Sequence, residues 1–159
     1  MAEWIDISKA IPWVGLPNIY LIDQDSEKEL YNALSSLGFK IFYIEGNSIN
    51  SEETFFLEVS RVLKFPDYFG KNWDAFHDCF GDFVSIEKGP VALIWRDATS
   101  TIKNSLKTFL KITYELLSGA AEIGSYKDVD IEPVQIELFI LGKGKDFVSS
   151  PVVAPVARH

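Results

Sequence analysis

The sequence predicts an α/β domain in which helices cover a small parallel sheet. Short apolar runs alternate along the chain with stretches of helical period, which implies β-α-β crossovers between strands that run the same way. The two later runs, residues 91–95 and 136–141, are almost continuously apolar, as strands buried on both faces are. A chain of 159 residues with 47% hydrophobic content closes one good core rather than two.

In chain order, residues 1–17 carry Trp4, Ile11, Pro12, Trp13 and Pro17 without a clear period. Two tryptophans are out of character for a disordered arm, so this segment is expected to pack on the domain. Residues 18–22 (Asn-Ile-Tyr-Leu-Ile) read as the first strand, and Ser26-x-x-Glu29 reads as a capping box opening a helix that ends near Gly38. A second strand over 39–44 closes at Gly46-Asn47. Asn50 is then placed to cap a helix with Phe55, Val59 and Val62 inward, which Pro66 stops. There follow a helix over 73–83, a strand over 91–95, a helix over 102–117 with Leu106, Phe109, Leu110 and Leu117 inward, and a last strand over 134–141. Residues 119–133 read as a loop and 148–159, rich in Pro, Val, Ala and Ser, as a frayed tail, so that 18–147 form a single domain.

The formal net charge of −8 repels nucleic acid, whose phosphates need lysine and arginine partners, and favours a basic protein as partner. The single cysteine, Cys79, leaves no disulfide and no thiolate set for structural zinc, which fits a reducing compartment such as the cytoplasm. The first residues are acidic where a signal peptide is basic, and no window holds about 18 uninterrupted apolar residues, so neither export nor a membrane span is expected. A Gly-rich phosphate loop, a nucleophile motif and a cofactor motif are all missing, which argues against an enzyme.

The informative stretch is residues 65–83, a Pro- and Gly-punctuated loop that turns helical. Asn72 is the expected N-cap and Asp74 lies in the first turn, where the helix dipole favours an anion. At about 100° per residue, Trp73, Phe76, Cys79, Phe80 and Phe83 gather on one side and Asp74, Asp78 and Asp82 on the other. Like charges at that spacing cost a helix about 0.2 to 0.5 kcal/mol per pair, so the stripe is not there for stability. It adjoins Tyr68 and Phe69, and aromatics beside clustered charge are what interfaces use as anchors.

Residues 66–75 (Pro-Asp-Tyr-Phe-Gly-Lys-Asn-Trp-Asp-Ala), followed by Asp78-Cys79, closely resemble the Pro-x-Tyr-Tyr-Gly-x-Asn-x-Asp-Ala-x-x-Asp-Cys signature of the barstar family. Residues 44–49 and 89–95 are similar to the family's first strand and turn and to its second strand, and the likeness runs from 39 to 141. It implies three family strands, with residues 18–38 adding one N-terminal strand and one helix. It also implies a protein that plugs, one to one, the substrate cleft of a basic ribonuclease, its carboxylates standing where RNA phosphates sit. By position, Tyr68 would approach the base-recognition pocket, and Asp74 and Asp78 would meet the enzyme's cations with Asp78 as central anchor. Asn72 and Trp73 would line the near edge, Phe83 takes the place of a family aromatic, and Glu115 supplies a supporting carboxylate on the later helix. The chain departs from the family at His77, at Asp82 and in the long 119–133 connection, and those positions bear on which enzyme is bound.

Two other readings compete. Asp74, His77 and Asp78 sit on about one helical turn, as a general acid/base pair or partial metal site does, but the only other histidine is His159 in the tail. His77 is more simply a surface histidine easing the charge of Asp74, and Cys79 a small core hydrophobe. The second is an immunity or interaction module of the same fold that binds a different toxin or a regulatory protein, since an acid stripe suits any basic cleft.

Overall fold

The computed structural model describes residues 4–14, 20–124 and 134–143. Four strands, β1 (Tyr20–Asp23), β2 (Lys40–Glu45), β3 (Val91–Arg96) and β4 (Ile136–Gly142), form one sheet in the order β1-β4-β3-β2 with every pairing parallel. The helices among the described residues are α1 (Ile7–Ala10), α2 (Glu27–Ser36), α3 (Glu52–Leu63), α4 (Trp73–Glu87), α5 (Ala98–Asn104) and α6 (Leu106–Gly124). The fold is α/β as expected, with the extra N-terminal strand lying beside β4 at the sheet edge.

Side chains alternate across the sheet with the two-residue strand period. Ala92 and Ile94 of β3 and Phe139 and Leu141 of β4 face one side. There they pack with Leu30 and Leu34 of α2 and with Ile7, Ile11 and Val14 of the N-terminal segment. Leu93, Trp95, Leu138 and Ile140 face the other, where α3, α4 and α6 cover them through Phe55, Val59, Phe76, Phe80, Phe109 and Ile112. Both faces of β3 and β4 are therefore buried, which is why those strands carry almost no polar residue.

Several sequence expectations are corrected here. Ser26 makes no side-chain capping bond, because a tight turn over Gln24–Ser26 leaves it at φ −93°, ψ 8° instead of extended; Asp23 caps that turn, accepting from Asp25 N–H at 3.1 Å. Ser51, not Asn50, caps α3. It is the extended residue there and forms a reciprocal box with Thr54, whose hydroxyl also takes the Asn50 N–H at 2.9 Å. The helix expected over 102–117 breaks at Ser105, which is extended at φ −163°. That break resets the helical phase: Phe109, Ile112, Leu116 and Ile123 point inward, while Leu106 and Leu110 are exposed and Leu117 is half-buried. The connection expected from 119 begins as helix instead, since α6 runs through Gly119 to Gly124. Residues 18–19, 125–133 and the tail over 148–159 lie outside the described residues.

Candidate partner-binding site

The loop from α3 to α4 starts at Lys64, which ends α3 in the left-handed region, and turns at Phe69, whose N–H reaches Pro66 C=O at 2.9 Å. Lys71 is also left-handed, at φ 53°, a conformation few residues with a Cβ adopt. The chain then extends at Asn72, whose side-chain oxygen accepts from Ala75 N–H at 2.8 Å and starts α4. Asn72 is exposed, so the same residue both fixes the helix start and borders the surface.

The aromatic content of this segment divides sharply. Phe69 does not join the surface: it is buried against Phe56 and Phe65, at 5.8 and 5.1 Å between ring centroids. Tyr68, one residue earlier, is 82% exposed. Phe69 thus pins the loop to α3 and leaves Tyr68 standing out.

Trp73 is half-buried on Phe55 and Phe56, and its indole N–H donates to the Glu52 carboxylate. Along α4, Phe76, Cys79, Phe80, Phe83 and Val84 are buried, as the period predicts, while Asp74, Asp78 and Asp82 are all exposed. No ion pair is made by any of the three aspartates among the described residues. Several other acids are paired: Glu27 and Glu45 hold Arg96, Glu58 holds Arg61 and Glu87 holds Lys40. Phe83 faces inward, edge-on to Phe42 at 5.0 Å. Cys79 is a buried free cysteine, and burial, then the charges of Asp82 and Asp78, push its thiol up.

His77 has Glu115, and not Asp74, as its hydrogen-bonding partner. Its Nε2 meets Glu115 Oε1 at 2.8 Å across the α4–α6 contact, and Glu115 Oε2 accepts from Lys111 Nζ at 2.8 Å. Burial, the largest single influence on Glu115, resists its ionisation. The hydrogen bonds from Lys111 and His77 outweigh it and hold the carboxyl below its ordinary value. The helices approach closely here: a Cβ on Gly119 would lie 3.2 Å from His77 Nδ1 and 3.1 Å from the Phe80 ring. Glu115 is thus occupied within the molecule, whereas the three aspartates of α4 are not. Lys111, which also lies 5.9 Å from the Trp73 ring centroid, escaped the sequence reading, although the Lys111-to-Glu115 spacing of four on a helix signals the pair.

Among the described residues no group of three or more His, Cys, Asp or Glu is arranged to hold a metal ion, and no helix is long and apolar enough to cross a membrane. A family model described as Barstar (barnase inhibitor) matches residues 39–134, more than half of the chain and including the whole of this loop and helix. No curated protein matches the chain.

Proposed function

The chain belongs to the barstar family, and on that premise we propose that it inhibits a basic ribonuclease by docking Tyr68 and the outer face of α4 in the enzyme's active-site cleft. The observation that carries this reading is that Asp74, Asp78 and Asp82, aligned and exposed on one helix, make no ion pair among the described residues, whereas Glu27, Glu45, Glu58, Glu87 and Glu115 are each set against a cation. Three aligned carboxylates repel one another in the free protein. A cleft lined with Arg, Lys and His removes that repulsion and gains charge-assisted hydrogen bonds. Tyr68 adds a rigid aromatic contact on a loop already fixed by Phe69 and the Asn72 cap, so little conformational entropy is lost on docking. Asn72 and the exposed part of Trp73 border this face. Glu115 supports it indirectly, by holding α4 against α6 through His77. In this reading the chain carries no catalysis of its own and forms a one-to-one complex.

The test is titration of the purified chain into a barnase-type ribonuclease cleaving RNA. Activity falling in proportion and vanishing at one equivalent, with inhibition relieved by excess substrate analogue, is the expected result. Full activity in the presence of a tenfold excess of the chain overturns it.

A further inference from the structure

A groove of about 300 Å³ opens between the end of α3 and the last two turns of α4. Phe42 of β2 and Phe83 of α4 line its floor, and Val62, Lys64, Asp82 and Ile86 stand around it. Ile86 is 75% exposed, at the edge of the buried face of α4, where Cys79 and Phe83, seven and three residues earlier, line the same groove. At four-residue steps Ile86 continues the line of Asp74, Asp78 and Asp82. Asp82 belongs both to that line and to the groove wall, so acid stripe and apolar groove form one continuous surface.

The charges around the groove are not equivalent. Glu87 is engaged by Lys40, at 3.3 Å, whereas Asp82 makes no ion pair among the described residues. A cation brought to this wall therefore has a place at Asp82. Lys64 on the opposite wall disfavours a second cation there and so gives the site a direction. The volume is at the lower end of the roughly 300–1,000 Å³ of ligand pockets, suited to one side chain rather than to a large molecule.

We propose that this groove is a second anchor point for the basic protein that docks on α4: it takes one large apolar side chain, presented beside a lysine or arginine whose cation meets Asp82. This rests on the reading of α4 as the partner-binding face. It adds that the partner is recognised by a basic-apolar pair beyond the acid stripe, and that Ile86 and Asp82 set specificity.

The groove's chemistry is tested on the full chain with phenethylammonium, an aromatic ring carrying a cation, against the neutral 2-phenylethanol, following methyl resonances. The expected result is saturable shifts concentrated on Ile86 and Val62, with the ammonium binding at least about threefold tighter than the alcohol and Asp82→Asn removing that difference. Val62→Trp, which fills the groove, should abolish the shifts. Shifts scattered over the surface, or equal binding of the two probes, overturn the proposal.

The partner's use of the groove is tested with barnase and two variants whose melting curves match the parent. Ile86→Asp should weaken the complex at least about tenfold. If Asp78→Asn weakens the complex and Ile86→Asp does not, the groove inference fails while the partner face stands. If the groove takes phenethylammonium selectively and barnase is not bound, the ribonuclease reading fails and the groove's ligand chemistry stands.

Discussion

Removing the Glu115 carboxylate should loosen α4 from α6 by an amount the geometry bounds. Glu115 is 13% exposed, with one oxygen 2.8 Å from His77 Nε2 and the other 2.8 Å from Lys111 Nζ. The Lys111 contact is an exposed pair within one helix and contributes little. The His77 contact joins two helices and has a charged acceptor, a class of bond that contributes about 1.5 to 3 kcal/mol. Glu115→Ala also leaves a partly buried imidazole nitrogen without a partner, so a loss of about 2 kcal/mol near pH 7 is expected. Glu115→Gln keeps an acceptor oxygen for His77 and should lose about half as much. The assay is urea unfolding, read as a shift in midpoint at unchanged slope. The pH dependence has a definite sign. The carboxyl is held below its ordinary value of 4.5 in the folded protein, so its stabilisation is full above that value and disappears as pH falls through the folded value. The stability difference between parent and Glu115→Gln should therefore shrink on acidification below about pH 4.5, with other carboxylates cancelling in the subtraction. A difference that stays constant from pH 7 to 3, or a Glu115→Ala variant as stable as the parent, would refute the clasp.

Three further outcomes follow from packing and burial. Gly119→Leu should destabilise by about 3 kcal/mol in thermal or urea unfolding, because the helix-propensity gain cannot offset a side chain forced against Phe80 and His77; a neutral effect would contradict the close helix approach. Gly46→Ala should cost about as much, since its Cβ would run into the main-chain oxygens of Arg96 and Asp97 and, at 2.7 Å, the Trp95 indole nitrogen. Burial, then the charges of Glu137 and Asp6, push the Tyr20 phenol from 10.0 up to about 12. Because the folded state keeps that proton longer, stability is full below about pH 10 and falls as pH rises towards 12. Tyr20→Phe should lack that alkaline loss in urea titrations across the range, and an identical loss in both proteins would contradict it.

Much of the fold is legible in the sequence because its signals are local. The runs at 91–95 and 136–141 announce buried strands, and the spacing of Phe76, Cys79, Phe80 and Phe83 sets the phase of α4 without outside help. Asn72 is a recognisable cap because it directly precedes that periodic run. The expectations that failed depended on choices between near-equal neighbours. Asn50 and Ser51 can each cap a helix, and it is Ser51 that forms the reciprocal box with Thr54, three residues on. The break at Ser105 carries no Gly or Pro to announce it. Gly119 reads as a helix stop, yet α6 runs on through it, and its missing side chain leaves room for Phe80 and His77 of α4. The site shows the same division. Tyr68 and the three aspartates share one short segment, whereas His77 and Glu115 are 38 residues apart and meet only through the crossing of two helices. The groove is built from β2, α3 and α4 together, so no stretch of sequence contains its signal.

The central claim is that the unpaired aspartates of α4 form the inhibitory face, and stopped-flow binding to a barnase-type ribonuclease across a salt series tests it most directly. Association of the parent should slow steeply as salt rises, because attraction between the acid face and a basic cleft is screened over about 8 Å at physiological ionic strength. Asp82→Asn should slow association and, by removing the acid that meets the partner's cation beside the groove, also speed dissociation. Asp78→Ala should speed dissociation at a cost of about 2 to 5 kcal/mol, by leaving a cation of the enzyme unpaired in the interface. Tyr68→Ala should also speed dissociation, and since Tyr68 and Asp78 are both exposed, neither change should alter the melting curve. An Asp78→Ala variant that binds and dissociates like the parent would contradict the account.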